Sequence, residues 1–104
     1  AALEGLSEYS GRKIVVLGDM LELGPHSRTL HHETGKVALG VADKVFSLGE
    51  FREELSTNPF QDAQELIQAL LEDLKPGDTV LFKASRGVRL EDVLEAVLEG
   101  LRGR

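Results

Sequence analysis

A Rossmann-like α/β sandwich, with a mainly parallel sheet held between layers of helix, is the architecture that fits this chain. Three features lead to it. Short apolar runs that do not alternate with polar residues, Ile14 to Leu17 above all, describe strands with no solvent face, as happens where helices cover both sides of a sheet. Segments with apolar residues at three- and four-residue steps separate those runs, so strand and helix alternate along the chain and parallel strands joined by crossovers follow. A length of 104 residues suits one compact domain over residues 1–104 and leaves no room for a second.

Each element has its own local cause. Ala1 to Tyr9 carries Leu3 and Leu6 at helical spacing, has no capping residue ahead of it, and stops near Gly11, a residue suited to ending helices. Because such folds usually open on a strand, this partial helix predicts a truncated first strand upstream. Lys13 to Leu17 is the first strand present, and Gly18 and Asp19 fall at its carboxyl end, where open α/β sheets place their ligands. Ser27 is expected to cap a helix whose apolar positions are Leu30, Val37, Ala38 and Val41. Lys44 to Leu48 is the second strand. A helical turn around Phe51 to Leu55 leads to Asn58 and Pro59, where a turn or brief edge strand is expected. Asp62 with Glu65 has the form of a capping box, and Ala63, Leu66, Ile67, Leu70, Leu71 and Leu74 make the cleanest amphipathic stripe in the chain. Pro76, Gly77 and Asp78 turn the chain into a third strand, Thr79 to Lys83. Leu90, Val93, Leu94, Val97, Leu98 and Leu101 define the last helix.

Composition narrows the functions available. With 41% hydrophobic and 29% charged residues the chain reads as a soluble globule, and its apolar runs are far too short to cross a bilayer. A net charge of −6 argues against a nucleic-acid partner, which needs a basic surface to displace counterions. The absence of cysteine removes disulfides, thiolate nucleophiles and cysteine-based zinc sites together. With no visible signal peptide, the expected location is cytoplasmic and no membrane association is expected.

Three common signatures are incomplete. Gly5 to Lys13 has five residues between its glycines, lacks the Lys-Ser/Thr ending of a P-loop, and precedes a strand instead of following one. His31, His32 and Glu33 lack the second histidine of a zincin helix, because that position is Lys36, so no metal site is expected. Gly18 to Gly24 follows a strand as a dinucleotide fingerprint does, yet Met20, Leu21, Glu22 and Leu23 are too bulky for close approach to a pyrophosphate.

What remains is a set of polar residues at strand ends. GDMLELG at 18–24, His31 and Gly35 within LHHETG, DKVFSLG at 43–49, and PGDTVLFKASRG followed by Glu91 occur together in one order. In that set the chain resembles the carboxyl-terminal domain of a Mur ligase, from about Ala1 to Leu101. The likeness is greatest to members that add D-alanyl-D-alanine to a UDP-N-acetylmuramoyl-tripeptide. Ala84 and Val88 depart from the glycine and methionine usual in the family, both small apolar exchanges. A family strand that helps to hold ATP would lie just before Ala1.

The resemblance implies an ATP-dependent ligation in peptidoglycan precursor synthesis. ATP, with Mg2+, phosphorylates the tripeptide carboxylate, and the dipeptide amine attacks the acyl phosphate. It also implies that central and amino-terminal domains supply the P-loop, the magnesium ligands and the UDP site. The 104-residue chain is then expected to be inactive alone, with no catalytic residue of its own and no cofactor bound by itself. The alternative is a stand-alone binding or regulatory module of receiver or flavodoxin type. A receiver needs a further acidic pair and a flavodoxin a hydroxyl- and glycine-rich phosphate loop, and neither is present.

The candidate substrate-binding residues are Arg86, Lys83, Ser85, Asp19 and Glu22, with His31 and Glu91 as lesser candidates. Asp19 and Glu22 can orient the dipeptide ammonium or a phosphate-bound cation, or else cap a turn and face solvent. The planar guanidinium of Arg86 suits the dipeptide carboxylate or a phosphate, and its plain alternative is a salt bridge to Asp19 or Glu22. Lys83 can neutralise phosphate charge or snorkel from a strand end. Ser85 can donate to a ligand or close the turn that Gly87 permits. Glu91 is explained by the dipole of its helix alone. His31 is read as a partly buried structural histidine ahead of a catalytic base, with His26 and His32 at the surface.

Overall fold

The computed structural model describes residues 10–20, 24–84 and 90–103, together with Gly5 in a helical conformation. The rest of the expected Ala1 to Tyr9 helix lies outside the described residues. The elements are β1 (Lys13–Leu17), a 3₁₀ turn (Gly24–His26) running into α1 (Ser27–Val41), β2 (Lys44–Leu48), α2 (Arg52–Leu55), β3 (Pro59–Phe60), α3 (Ala63–Asp73), β4 (Thr79–Lys83) and α4 (Leu90–Arg102). All strands pair in parallel, in the order β3-β2-β1-β4. The expected edge strand at Pro59 is therefore real but two residues long.

Strand pleating sorts the apolar run of β1 between two cores. Ile14 and Val16 point to one face, where they meet Phe46, Leu66, Ile67 and Leu70 of α3, and Val93 and Val97 of α4. Val15 and Leu17 point to the other, against Val45, Ala38 of α1 and Leu55 of α2. With helices on both faces, Ile14 to Leu17 are at most 1% exposed, which is why the run has no polar alternation.

The order of strands locates the crevice. From β1 the chain grows through β2 to β3 with α1 and α2 on one face. It then crosses to the far side of β1 to make β4, with α3 and α4 on the other face. Right-handed crossovers demand that exchange of faces when the direction of growth reverses. The helices that follow β1 and β4, which are neighbours, thus lie on opposite faces, the arrangement at whose carboxyl ends open α/β sheets place their ligands.

Two local expectations need correction. Ser27 is the first residue of α1 and not its cap; the preceding 3₁₀ turn leads into the helix through His26, which makes no side-chain capping bond. The inner face of α1 consists of His31, Gly35 and Ala38, whereas Leu30 and Val37 are 42% and 47% exposed. A glycine faces inward because α2 lies against it: a Cβ at position 35 would sit 2.4 Å from the Leu55 carbonyl oxygen. Among the other predictions, Asp62 does cap α3, its carboxylate accepting from the Gln64 N–H at 2.8 Å. In α4 the stripe is split, with Leu90, Val93 and Val97 buried and Leu94, Leu98 and Leu101 half-exposed.

The amino-terminal end of the sheet is tied by ions. Arg12 Nη2 donates to Asp78 Oδ2 at 2.6 Å and to the Asp73 carbonyl at 2.6 Å, while Arg12 Nε reaches Asp78 Oδ1 at 3.2 Å. Lys44 Nζ joins at 3.4 Å from Asp73 Oδ2. The hydrogen bond from Arg12 and then the Lys75 N–H hold the Asp78 carboxyl below its ordinary range, and the same carboxylate raises the guanidinium.

Candidate functional site

At the carboxyl ends of β1 and β4 the backbone remains paired one step past the strand: Gly18 N–H donates to the Lys83 carbonyl at 3.0 Å. Leu17 and Lys83 are register partners, so Asp19 and Lys83 emerge on the same rim, at the point where the chain departs to opposite faces. Among the described residues the Lys83 ammonium forms no ion pair. Glu22, Ser85 and Arg86 lie outside the described residues. Glu91 is exposed in the first turn of α4 beside Asp92, where two carboxylates complement the helix dipole.

Asp19 has a definite structural task. Its Oδ2 accepts from Glu50 N–H and its Oδ1 from Phe51 N–H, both at 2.8 Å, so it caps the approach to α2 from the neighbouring loop. The cap needs Gly49, whose φ is +110° and where a Cβ would come within 2.7 Å of the carboxylate. An ionised carboxylate offers about four acceptor directions, and two are used here. Among the described residues no further donor takes the remaining lone pairs.

His31 is fully buried, a step beyond the partial burial expected. Nε2 accepts from Met20 N–H at 2.9 Å, Nδ1 lies 2.5 Å from the Ser27 carbonyl oxygen, and the ring stacks on Phe51 with centroids 4.1 Å apart. Every polar atom of the ring is used within the domain, so the geometry gives it a structural partnership and not the free nitrogen a base requires. His26 and His32 are exposed, as expected.

Phe51 and Gly49 belong to this cluster and were not singled out as site residues. The glycine at the end of an apolar strand was the available sign, but its carboxylate partner is 30 positions away, as the numbering of Asp19 and Gly49 shows. Ser47, also buried, donates from Oγ to the Arg52 carbonyl and meets Ser56 Oγ at 2.6 Å, which fixes the same turn from beneath. A cleft of about 130 Å³ between α1 and α2, lined by His32, Lys36, Leu39, Glu53 and Thr57 among others, contains none of the expected site residues.

Among the described residues no three His, Asp or Glu side chains converge into an all-protein metal centre. Nor is any described helix long and apolar enough to cross a membrane.

Comparison with known proteins agrees with this geometry. The family model described as "Mur ligase, glutamate ligase domain" matches residues 1–86. The UDP-N-acetylmuramoyl-tripeptide–D-alanyl-D-alanine ligase of Bacillus subtilis is 40% identical, over 92% of this chain and 23% of its own length. Its Escherichia coli counterpart is 35% identical, over 95% of this chain and 24% of its own length. The crystal structure of MurF ligase from Thermotoga maritima in complex with ADP superposes with a TM-score of 0.89 at 36% identity, over 99% of this chain and 25% of that one. MurF from Acinetobacter baumannii gives 0.84 at 26% identity, over 94% of this chain and 24% of that one. The chain thus spans about a quarter of the length of these relatives. With a family match over most of its length and a shared fold, the chain belongs to the Mur ligase family and corresponds to its carboxyl-terminal, glutamate ligase domain.

Proposed function

We propose that this domain serves a ligase that adds D-alanyl-D-alanine to UDP-N-acetylmuramoyl-tripeptide, closing over ATP and the incoming dipeptide. The observation that carries the reading is the rim itself: Asp19 and Lys83, whose ammonium forms no ion pair among the described residues, stand together at the strand ends where the chain reverses direction. Family membership replaces the receiver or flavodoxin alternative.

The chemistry has two balanced steps. The γ-phosphoryl group of ATP passes to the tripeptide's terminal carboxylate, giving an acyl phosphate and ADP. The dipeptide ammonium gives one proton to solvent, and the resulting amine attacks the acyl carbon. The C–N bond forms, inorganic phosphate leaves with the electron pair of the broken C–O bond, and the departing phosphate takes up the second proton lost by the nitrogen. Mg2+ and the P-loop belong to the central domain in this scheme. The residues of this chain bind and orient. Asp19, with Glu22, receives the ammonium of the dipeptide. Arg86, assisted by Ser85, pairs with its carboxylate in a two-point contact, and Lys83 balances phosphate charge as a point cation.

In a full-length enzyme carrying this domain, Arg86→Ala raises KM for the dipeptide by about tenfold or more, the loss expected of a charge-assisted pair, while KM for ATP holds. A fall in kcat alone moves Arg86 to the phosphate, and no change in either removes it from the site. Lys83→Met lowers kcat/KM for ATP. The isolated chain is inactive, so ligation measured with the purified domain alone overturns the division of labour.

A further inference from the structure

We propose that His31 is a positioning residue: a neutral imidazole, protonated on Nδ1, that latches the loop after β1 to α1 and so sets the rim on which the dipeptide is held. The inference rests on the ligand reading of that rim, but the latch is defined by atoms within this chain.

The tautomer follows from the partners. A carbonyl oxygen can only accept, so at 2.5 Å from the Ser27 oxygen Nδ1 must carry the hydrogen. A backbone N–H can only donate, so at 2.9 Å from Met20 N the opposite nitrogen, Nε2, must present its lone pair. Either the other tautomer or an imidazolium would set N–H against N–H in a side chain with no exposed surface.

The latch acts where direction is decided. Asp19 and Met20 are the first residues beyond the paired backbone at Gly18, and they are held from two sides. Asp19 is fixed by the N–H groups leading into α2, and Met20 by a side chain of α1. Phe51 closes the circuit, because its N–H binds Asp19 while its ring stacks on His31 with an interplanar angle of 17°. Two consecutive residues, Asp19 through its carboxylate and Met20 through its N–H, are therefore held by two helices. Displacing Met20 would carry Asp19 with it and move its carboxylate on the rim.

Substitutions separate the latch from mere packing. His31→Phe keeps a ring for Phe51 and removes both hydrogen bonds. His31→Gln removes the ring but places an amide oxygen about where Nε2 stands. In the wild-type domain, 15N spectra of the histidine rings at neutral pH show His31 protonated on Nδ1 and bare on Nε2. A ring protonated on Nε2, or on both nitrogens, overturns the proposal without any variant. Amide hydrogen exchange at Met20 speeds up by about tenfold or more in His31→Phe, the order expected for one lost hydrogen bond, while Val15 and Val16 exchange as before, and His31→Gln restores protection. In the full-length enzyme His31→Phe raises KM for the dipeptide with little change in kcat, and His31→Gln brings it back. Faster exchange with an unchanged KM, or a loss of kcat and KM together that glutamine does not rescue, refutes the positioning role. If Arg86 and Lys83 variants leave the kinetics untouched, the ligand reading fails, and the ring spectra and Met20 exchange still decide the latch by themselves.

Discussion

Asp19 and Gly49 depend on each other in a way that a double-mutant cycle can measure. Asp19→Ala leaves two backbone N–H groups without their carboxylate and is expected to cost about 1–2 kcal/mol in urea denaturation, the usual range for a lost cap. Gly49→Ala places a methyl group within 2.7 Å of that carboxylate at a φ of +110°, and is expected to cost about 2 kcal/mol or more. With alanine at position 19 the collision disappears and only the backbone strain remains. The double variant should then lose less than the sum of the singles, and strict additivity would show that the two do not touch. The sequence marked Asp19 as a strand-end acid. It could not mark the cap, because the donors belong to a segment 31 and 32 positions further on.

Helix α1 shows how packing overrides propensity. It contains two glycines, and in isolation replacing either by alanine favours a helix by about 0.5–1 kcal/mol. At Gly40 a Cβ meets nothing within 4 Å, so Gly40→Ala should stabilise the domain by about that amount. At Gly35 the methyl would press on the Leu55 carbonyl at 2.4 Å, forcing α2 away from its core position. Overpacking of that kind costs about 1–3 kcal/mol, more than the propensity gain, so Gly35→Ala should destabilise. Denaturation midpoints of the two variants should move in opposite directions, and a shared direction would contradict the packing of α1 on α2. The apolar periodicity of this segment pointed to Leu30 and Val37, which face outward. Periodicity assigns the inner face to the largest apolar residues, whereas close approach of α2 and a fully bonded imidazole assign it to Gly35 and His31. In α3, where no such constraint intrudes, the stripe Leu66, Ile67, Leu70 is buried as the pattern predicts.

At the scale of the molecule, the ion network around Arg12 fastens the end of the sheet opposite the crevice. It joins the residue before β1, the start of β2, the end of α3 and the turn before β4. Folding lowers the Asp78 carboxyl from its ordinary 3.8, chiefly through the Arg12 hydrogen bond. A depressed carboxyl stabilises the fold above its unfolded value, and that contribution is lost as pH falls through the folded value below 3.8. Arg12, whose proton is held more tightly when folded, stays charged throughout this range. Thermal unfolding followed from neutral to strongly acid pH should show Asp78→Asn melting below the wild type at neutral pH, with the gap narrowing only in the acid window beneath 3.8. A gap constant over the whole range would mean that the charge of Asp78 contributes nothing.

Local chemistry in the sequence determined the kinds and order of the elements. The apolar run of β1, the stripe of α3, the Asp62 cap and the Pro-Gly-Asp turn before β4 each act over a few residues, so a linear reading finds them. Strand ends bearing Asp19 and Lys83 were visible for the same reason. Tertiary structure alone decided which strands are neighbours, that the chain reverses between β1 and β4, and that Asp19, Met20, His31 and Phe51 interlock. Those outcomes depend on partners brought together from distant positions, such as Arg12 and Asp78 separated by 66 residues. Hydrogen bonds and close contacts of that range leave no periodic trace in the chain, and they exist only once crossovers have set the faces of the sheet.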